Sequence, residues 1–349
     1  MDGKALRWGI CSAGKISFDF VVALQSLPAS EHQVEAVAAQ RLESAQSFAK
    51  DHNIPRAYGS YEELSKDADI DIVYIGVINS LHYEAAKMML EAGKHVLCEK
   101  PLCLNVGETK SLLDIAKSKK LFLMEAIWSR AFPVYKKVKE TIDSGIIGEV
   151  RHVRASFTAY LGDKMAERCS KKEIAGGAIL DIGIYPIQFA QLVFGEKPIS
   201  QMSSGYLIET GVDGETHITL GYSGNRRAIL NASYFINGPS EGIVCGTKGY
   251  IRVLPPLWCP EKMVLHVDGK EEQEFYYKLP PSKRNDQKYA NASGMQYEAT
   301  EVRNCLMKGL TESPLITAQM TLELAEIMQT ARQQMGYTLP QDEKWNNSK

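Results

Sequence analysis

Ile72-Val73-Tyr74-Ile75-Gly76-Val77 and His95-Val96-Leu97-Cys98-Glu99-Lys100-Pro101 are two apolar runs joined by a helical stretch, Tyr83 to Ala92, that Gly93 closes. Strand, helix and strand in that order form the unit from which parallel sheets are built. The second run delivers Lys100 to the carboxyl end of a buried strand, the edge at which open α/β sheets bind ligands. Pro101 locks φ and offers no N–H, so the turn after Lys100 is rigid, and the X-Pro bond is open to the cis isomer.

Upstream, Leu6-Arg7-Trp8-Gly9-Ile10-Cys11 predicts a first strand, and a helical pattern runs through Phe20, Val21, Leu24 and Leu27. The turn between them follows the dinucleotide fingerprint in layout and partly in letters. Ser12 stands where the first glycine would be, Gly14 is the second, and Ser17 replaces the third. Ser12, Gly14, Lys15 and Ile16 are therefore candidates to cradle a pyrophosphate at the helix N-terminus. A second strand, Val34–Ala39, follows about 20 residues on, where NAD-specific sites carry Asp or Glu for the ribose 2′-hydroxyl. Here stands Gln40-Arg41. A guanidinium pairs with a 2′-phosphate, so Arg41 points to NADP rather than NAD.

Ser44 to His52 predicts a helix, and Ser60 with Glu63 a capping box. Asn79-Ser80-Leu81-His82 forms the loop after the Ile72 strand, on the same carboxyl edge as Gly14 and Lys100. Asn79, His82 and Glu99 join Lys100 as candidates on the cofactor side. With a helix over Val106–Ser118 and a strand over Leu121–Ala126, the alternation specifies an α/β, doubly wound parallel sheet over residues 1–128.

After Trp128 the pattern changes. A helix over Pro133–Ser144 and a strand over Val150–Phe157 precede a helical run from Gly177 to Phe194, stopped by Gly195. Seven strand candidates follow: Ile199–Leu207, Thr216–Tyr222, Arg227–Tyr234, Glu241–Cys245, Gly249–Val253, Met263–Val267 and Gln273–Lys278. Two late helices, Met295–Lys308 and Ala318–Met335, close the chain. Residues 129–349 thus read as an α+β domain with an open, mostly antiparallel sheet. Such a sheet leaves a face that helices or a second subunit can cover. Asp181 and Tyr185 are four apart and share one face of the Gly177–Phe194 helix. Both can point across the domain boundary at Lys100. Pro186 inside that run marks either a helix start or a kink.

The chain has 349 residues, more than one compact core usually holds. Its net charge of −2 offers no field for nucleic acid or an anionic membrane. No apolar run looks long enough to span a bilayer, and Met1–Leu6 carries no apolar signal region, so a cytoplasmic protein is expected. The seven cysteines are scattered without a C-x-x-C pair, which suggests neither a disulfide framework nor a metal site.

Three stretches together resemble the glucose–fructose oxidoreductase/inositol dehydrogenase (Gfo/Idh/MocA) family: Gly9–Ile16, Glu91 through Pro101, and Gly176-Gly177-Ala178-Ile179-Leu180-Asp181-Ile182-Gly183-Ile184-Tyr185. The likeness runs nearly end to end. Within the family the chain is most similar to the branch that oxidises trans-dihydrodiols and D-xylose, through Arg7–Ile10, Ala57–Leu64, Leu121–Trp128, Asp181–Tyr185, Ser240–Tyr250 and Leu339–Asp342. Many members carry His where this chain has Tyr185.

The resemblance implies a Rossmann domain, a homodimer formed through the open sheet, and NADP-dependent oxidation of a small molecule, either a sugar to its lactone or a cyclic trans-dihydrodiol to a catechol. Tyrosine has a reference pKa of ~10, and a nearby ammonium favours the phenolate. Tyr185 is thus expected to act as acid/base, Lys100 to tune it, and Asp181 to orient substrate or Lys100. The residues leave open which of Lys100 and Tyr185 carries the proton. Trp128 and Phe157 are candidates, with His82, for the pocket wall. Two other readings stay open: a sugar or keto-sugar reductase of the same family, and a non-catalytic NADP-binding sensor.

Overall fold

The computed structural model describes residues 4–162 and 165–346, so the start of the leader reading, residues 1–3, lies outside the described residues. The chain divides into two compact units. The first comprises the residues up to Cys103, Gly107–Trp128 and Leu279–Thr321; the second comprises Leu104–Val106, Ser129–Lys278 and the residues from Leu322 on.

The first unit holds six parallel strands: β1 (Leu6–Cys11), β2 (His32–Ala38), β3 (Arg56–Tyr58), β4 (Ile72–Ile75), β5 (His95–Glu99) and β6 (Leu123–Ala126). Their order is β3-β2-β1-β4-β5-β6. Chain direction across the sheet reverses between β1 and β4, the crevice where doubly wound sheets take their ligands. The connecting helices are α1 (Lys15–Ser26), α2 (Leu42–His52), α3 (Tyr61–Lys66), α4 (His82–Glu91) and α5 (Val106–Lys119). β1, β4, β5 and β6 are almost wholly buried, as strands covered on both faces must be. The capping box read at Ser60 and Glu63 is present at the start of α3. The sequence suggested a single cut at residue 128, but Leu279–Thr321 returns to the first unit. It carries the first late helix, Met295–Met307, which packs on α1 and helps cover the parallel sheet.

The second unit is built on eight strands: β7 (Val150–Thr158), β8 (Ser200–Leu207), β9 (Asp213–Tyr222), β10 (Arg226–Ser233), β11 (Gly242–Gly246), β12 (Gly249–Val253), β13 (Lys262–Val267) and β14 (Gln273–Tyr276). Their order is β14-β13-β12-β11-β7-β10-β9-β8. Only β7 and β10 run parallel; the other neighbours are antiparallel. α6 (Pro133–Asp143) and α8 (Ile184–Phe194), numbered after the short α7 (Glu167–Ser170), pack on this sheet. Met202 and Ile229 remain 70% and 48% exposed within the chain.

Two expectations need correction. Gly177–Phe194 is not one α-helix: Ile179–Gly183 is a π turn, and the α-helix begins at Ile184. Pro186 lies in the first turn of α8, where helical N–H groups have no intrahelical partner, so it marks a helix start. In addition, Lys172–Phe194 is, by length and composition, apolar enough to cross a membrane, with a mean hydropathy of 1.4 in its most apolar window. That window is 89% buried because the segment forms the core of the second unit. A helix that the sequence did not suggest, Pro340–Asn346, ends the described chain.

Candidate active site

The first unit supplies a dinucleotide cradle. Ser12 follows β1 with φ at +109°, the backbone conformation its missing glycine would have adopted. Its N–H donates to Ala38 O at 2.9 Å, which ties the turn to β2. Gly14, the N-cap of α1, is extended and donates its N–H to Ser12 Oγ at 3.2 Å. No side chain caps α1, so the N–H groups of its first turn, at Lys15 and Ile16, are open to an anion. A Cβ at Gly76 would stand 2.5 Å from Ser17 Oγ, so β4 approaches the same helix start closely. Beyond the turn lies an open cleft of about 850 Å³ lined by Ala13, Arg41, Glu43, Ser44, Ser47, Phe48 and Asp51. Arg41 is exposed, and among the described residues no carboxylate pairs with it. The cradle fits the pyrophosphate of a dinucleotide.

Lys100 stands one residue beyond β5, half-buried, and the Lys100–Pro101 bond is cis. Glu99 is buried and accepts the Tyr74 hydroxyl at 2.6 Å, while the Lys100 N–H approaches its other oxygen at 3.3 Å. His82 is 1% exposed. Its Nδ1 lies 2.7 Å from Pro101 O and its Nε2 3.2 Å from Val77 O. Burial lowers its pKa to about 4, against the pull of the two carbonyls, so the ring is neutral and donates its single N–H to one of them at the turn after Lys100. Both ring nitrogens therefore face carbonyls of the protein. Asn79 opens a 3₁₀ turn over Asn79–Leu81, and Trp128, 5% exposed, begins the turn after β6.

The second unit holds Asp181 and Tyr185. Asp181 lies in the π turn; Tyr185, 6% exposed, lies in the first turn of α8. The α-helical spacing argument therefore does not apply to the pair. Asp181 Oδ2 accepts from the buried Tyr234 hydroxyl at 2.7 Å and from Arg168 Nη1 at 2.9 Å. Phe157 lies 5.6 Å from the Tyr185 ring and stacks on Trp258 at 3.8 Å, with the two rings nearly parallel. The structure thus brings Phe157 and Tyr185 together with Trp258, which sequence reading missed. Trp258 lies in an irregular segment between β12 and β13, where no periodicity marks it. Tyr234 and Arg168 carry no local signal either.

The π turn is pinned from outside. Gly177 precedes it at φ +105°, and a Cβ there would stand 2.2 Å from Asp213 Oδ1. Asp213, fully buried, accepts Ile179 N–H at 2.8 Å and Thr216 Oγ1–H at 2.7 Å. Burial raises its pKa to about 6, against the pull of those donors.

Residues 6–127 match the family described as "Oxidoreductase family, NAD-binding Rossmann fold", and residues 135–252 match the GFO/IDH/MocA C-terminal domain. The chain belongs to the GFO/IDH/MocA oxidoreductase family. It is 46% identical over 337 residues to a trans-1,2-dihydrobenzene-1,2-diol dehydrogenase of Xenopus tropicalis, covering 96% of this chain and all of that one. It is 43% identical over 341 residues to the enzyme of that name from Homo sapiens, covering 97% of this chain and 100% of the other. With such relatives, this GFO/IDH/MocA member is a dehydrogenase. Among solved structures, levoglucosan dehydrogenase in complex with NADH and levoglucosan shares the fold at a TM-score of 0.82 and 19% identity, over 95% of this chain and 98% of that one. A 3-ketoreductase from Actinomadura kijaniata in complex with NADP and TDP-benzene does so at 0.78 and 24%, with the same coverage.

Proposed function

We propose that the chain is an NADP-dependent dehydrogenase that oxidises trans-dihydrodiols to catechols and sugars such as D-xylose to lactones. The observation that carries the reading is the Phe157–Trp258 stack beside Tyr185, an aromatic slab suited to a cyclohexadiene ring or to the apolar face of a pyranose. The relatives named for the dihydrodiol reaction support it.

In this reading Tyr185 takes the proton of the substrate hydroxyl, and the Lys100 ammonium favours the phenolate that can do so. Asp181, with Oδ2 held by Tyr234 and Arg168, orients the substrate by accepting a hydroxyl proton in a hydrogen bond. The nicotinamide supplies the acceptor for the hydride. Ser12, Gly14, Lys15 and Ile16 hold the pyrophosphate, Asn79 and Glu99 lie on the cofactor side, and Trp128 joins the substrate wall. Arg41, without a paired carboxylate in its cleft, receives the 2′-phosphate, which makes NADP the cofactor rather than NAD. His82 acts through Pro101. The open face of the eight-stranded sheet pairs two chains into a homodimer, and the enzyme works in the cytoplasm, in keeping with seven cysteines of which none is in a disulfide.

The test is nicotinamide reduction by the purified protein with D-xylose, D-glucose and a trans-dihydrodiol, each with NADP+ and NAD+. Xylose or the diol should turn over with NADP+. Tyr185→Phe should abolish turnover and keep NADP affinity. Arg41→Ala should raise the KM for NADP+ by roughly tenfold to a hundredfold, the worth of one hydrogen bond to a charged group, and leave NAD+ unaffected. Turnover confined to NAD+ would remove the reading of Arg41; full activity of Tyr185→Phe would remove Tyr185 as the acid/base.

A further inference from the structure

Glu125 has no part in the chemistry above, yet it occupies a costly position. It lies on β6 and is 2% exposed. The register of β5 and β6 sets Glu125 opposite Cys98 and Ala126 opposite Glu99, so its carboxyl lies beside the strand end that delivers Lys100. Oε1 accepts the N–H of Leu102, two residues past Lys100, at 2.8 Å. Oε2 is buried without a hydrogen-bond partner, although the Thr321 hydroxyl acts on the same carboxyl. A buried polar group left this incompletely satisfied is destabilising, the more so if charged. An amide would accept the Leu102 N–H without burying an ionisable group, so packing and that hydrogen bond alone do not call for a carboxyl here.

We propose that Glu125 is a positioning residue of the dehydrogenase site, whose ionised carboxylate holds the Lys100–Leu102 turn and sets the charge environment of the Lys100 ammonium. The inference rests on the role proposed for Lys100. The titratable groups that bear on Glu125 are Cys98, Glu99 and Lys100 at the end of β5 and Cys103 beyond Pro101. Burial raises the carboxyl to about 7 while Lys100 pulls it down, so the group changes charge near neutrality. Its protonated form still accepts the Leu102 N–H but no longer attracts the ammonium. Turnover should therefore need the ionised form.

The experiment is the pH profile of kcat/KM for the wild type, Glu125→Gln and Lys100→Met. Glutamine preserves shape and the acceptor for Leu102, so a merely structural role leaves the profile unchanged. The wild-type profile should rise through a limb near pH 7. E125Q should lack that limb, keep its affinity for NADP, and sit roughly tenfold below the wild-type plateau, the consequence of about one unit of lost pKa tuning. The same limb in E125Q, or none in the wild type, overturns the inference. Lys100→Met with full turnover removes it together with the reading of Lys100; an inactive K100M beside an E125Q that titrates like the wild type removes it alone. Should E125Q fail to fold, infrared titration of the wild type decides: a buried protonated-carboxyl band that disappears through neutrality supports the assignment, and its absence refutes it.

Discussion

Lys100 follows a strand with parallel partners on both sides, in a turn whose direction Pro101 helps set, whereas Tyr185 follows a π turn held by a carboxylate 34 positions away. The first support is assembled from consecutive strand–helix–strand segments, each of which reads correctly by itself. The second is not. Asp213, Tyr234 and Arg168 converge on Gly177–Gly183 from separate parts of the second unit, and none announces itself in sequence. One chain thus places Lys100 by local folding rules and Tyr185 by long-range pinning. The second kind is the more fragile, because each of its contacts depends on where two distant segments meet.

Substitutions at two glycines test this difference most strongly. Gly177→Ala puts a Cβ 2.2 Å from Asp213 Oδ1 at φ +105°. It should cost roughly 2–5 kcal/mol in denaturant unfolding, from backbone strain and overpacking together, and reduce turnover with cofactor affinity kept. Gly93, which closes α4 before β5 at φ +83°, has nothing within 4 Å of the added Cβ. Gly93→Ala should cost only the conformational strain, about 1–2 kcal/mol, and leave turnover intact. Equal losses at the two positions would break the comparison.

Acid should move the two units in opposite directions at individual residues. His32 in the first unit takes the Trp8 Nε1–H on its Nδ1 at 3.2 Å, and burial, aided by the Arg303 charge, lowers its pKa from 6.5 to about 4. The unfolded chain binds that proton first, so the stability due to His32 is present above pH 6.5 and is lost as pH falls toward 4. The Tm advantage of wild type over His32→Gln should shrink across that window. Asp213 is raised from 3.8 to about 6, so the folded chain binds its proton first. Stability relative to Asp213→Asn should therefore increase as pH falls from about 6 to 3.8. Parallel pH trends for the two variants would show that the assigned burial does not control these groups. The smallest effect belongs to the local cap: Ser60→Ala should cost about 1 kcal/mol and leave kcat and KM unchanged.

Much of the first unit was legible. The alternation from Leu6 to Ala126 specified a parallel sheet, Ser60 and Glu63 specified a cap, and the glycine-like turn at Ser12–Gly14 emerged where the fingerprint placed it. The string of strands after Trp128 likewise read as a mostly antiparallel sheet. Misreadings came where an apolar run satisfied two descriptions. Gly177–Phe194 is apolar on nearly every side, so periodicity could not separate a continuous helix from a π turn joined to an α-helix, nor a core segment from a membrane span.

The amino-acid order by itself determined the doubly wound sheet and the position of Lys100 at a strand end, because hydrophobic period, proline and capping chemistry act over a few residues; the family was legible through the resemblance of Gly9–Ile16, Glu91–Pro101 and Gly176–Tyr185. Only the tertiary structure decided that Leu279–Thr321 belongs with the first unit, that Trp258 backs Phe157, and that Tyr234 and Asp213 hold the turn carrying Asp181 and leading into Tyr185. Those contacts join residues far apart in the chain, and a hydrogen bond to a buried carboxylate is specified by where two segments meet rather than by the letters on either side of it.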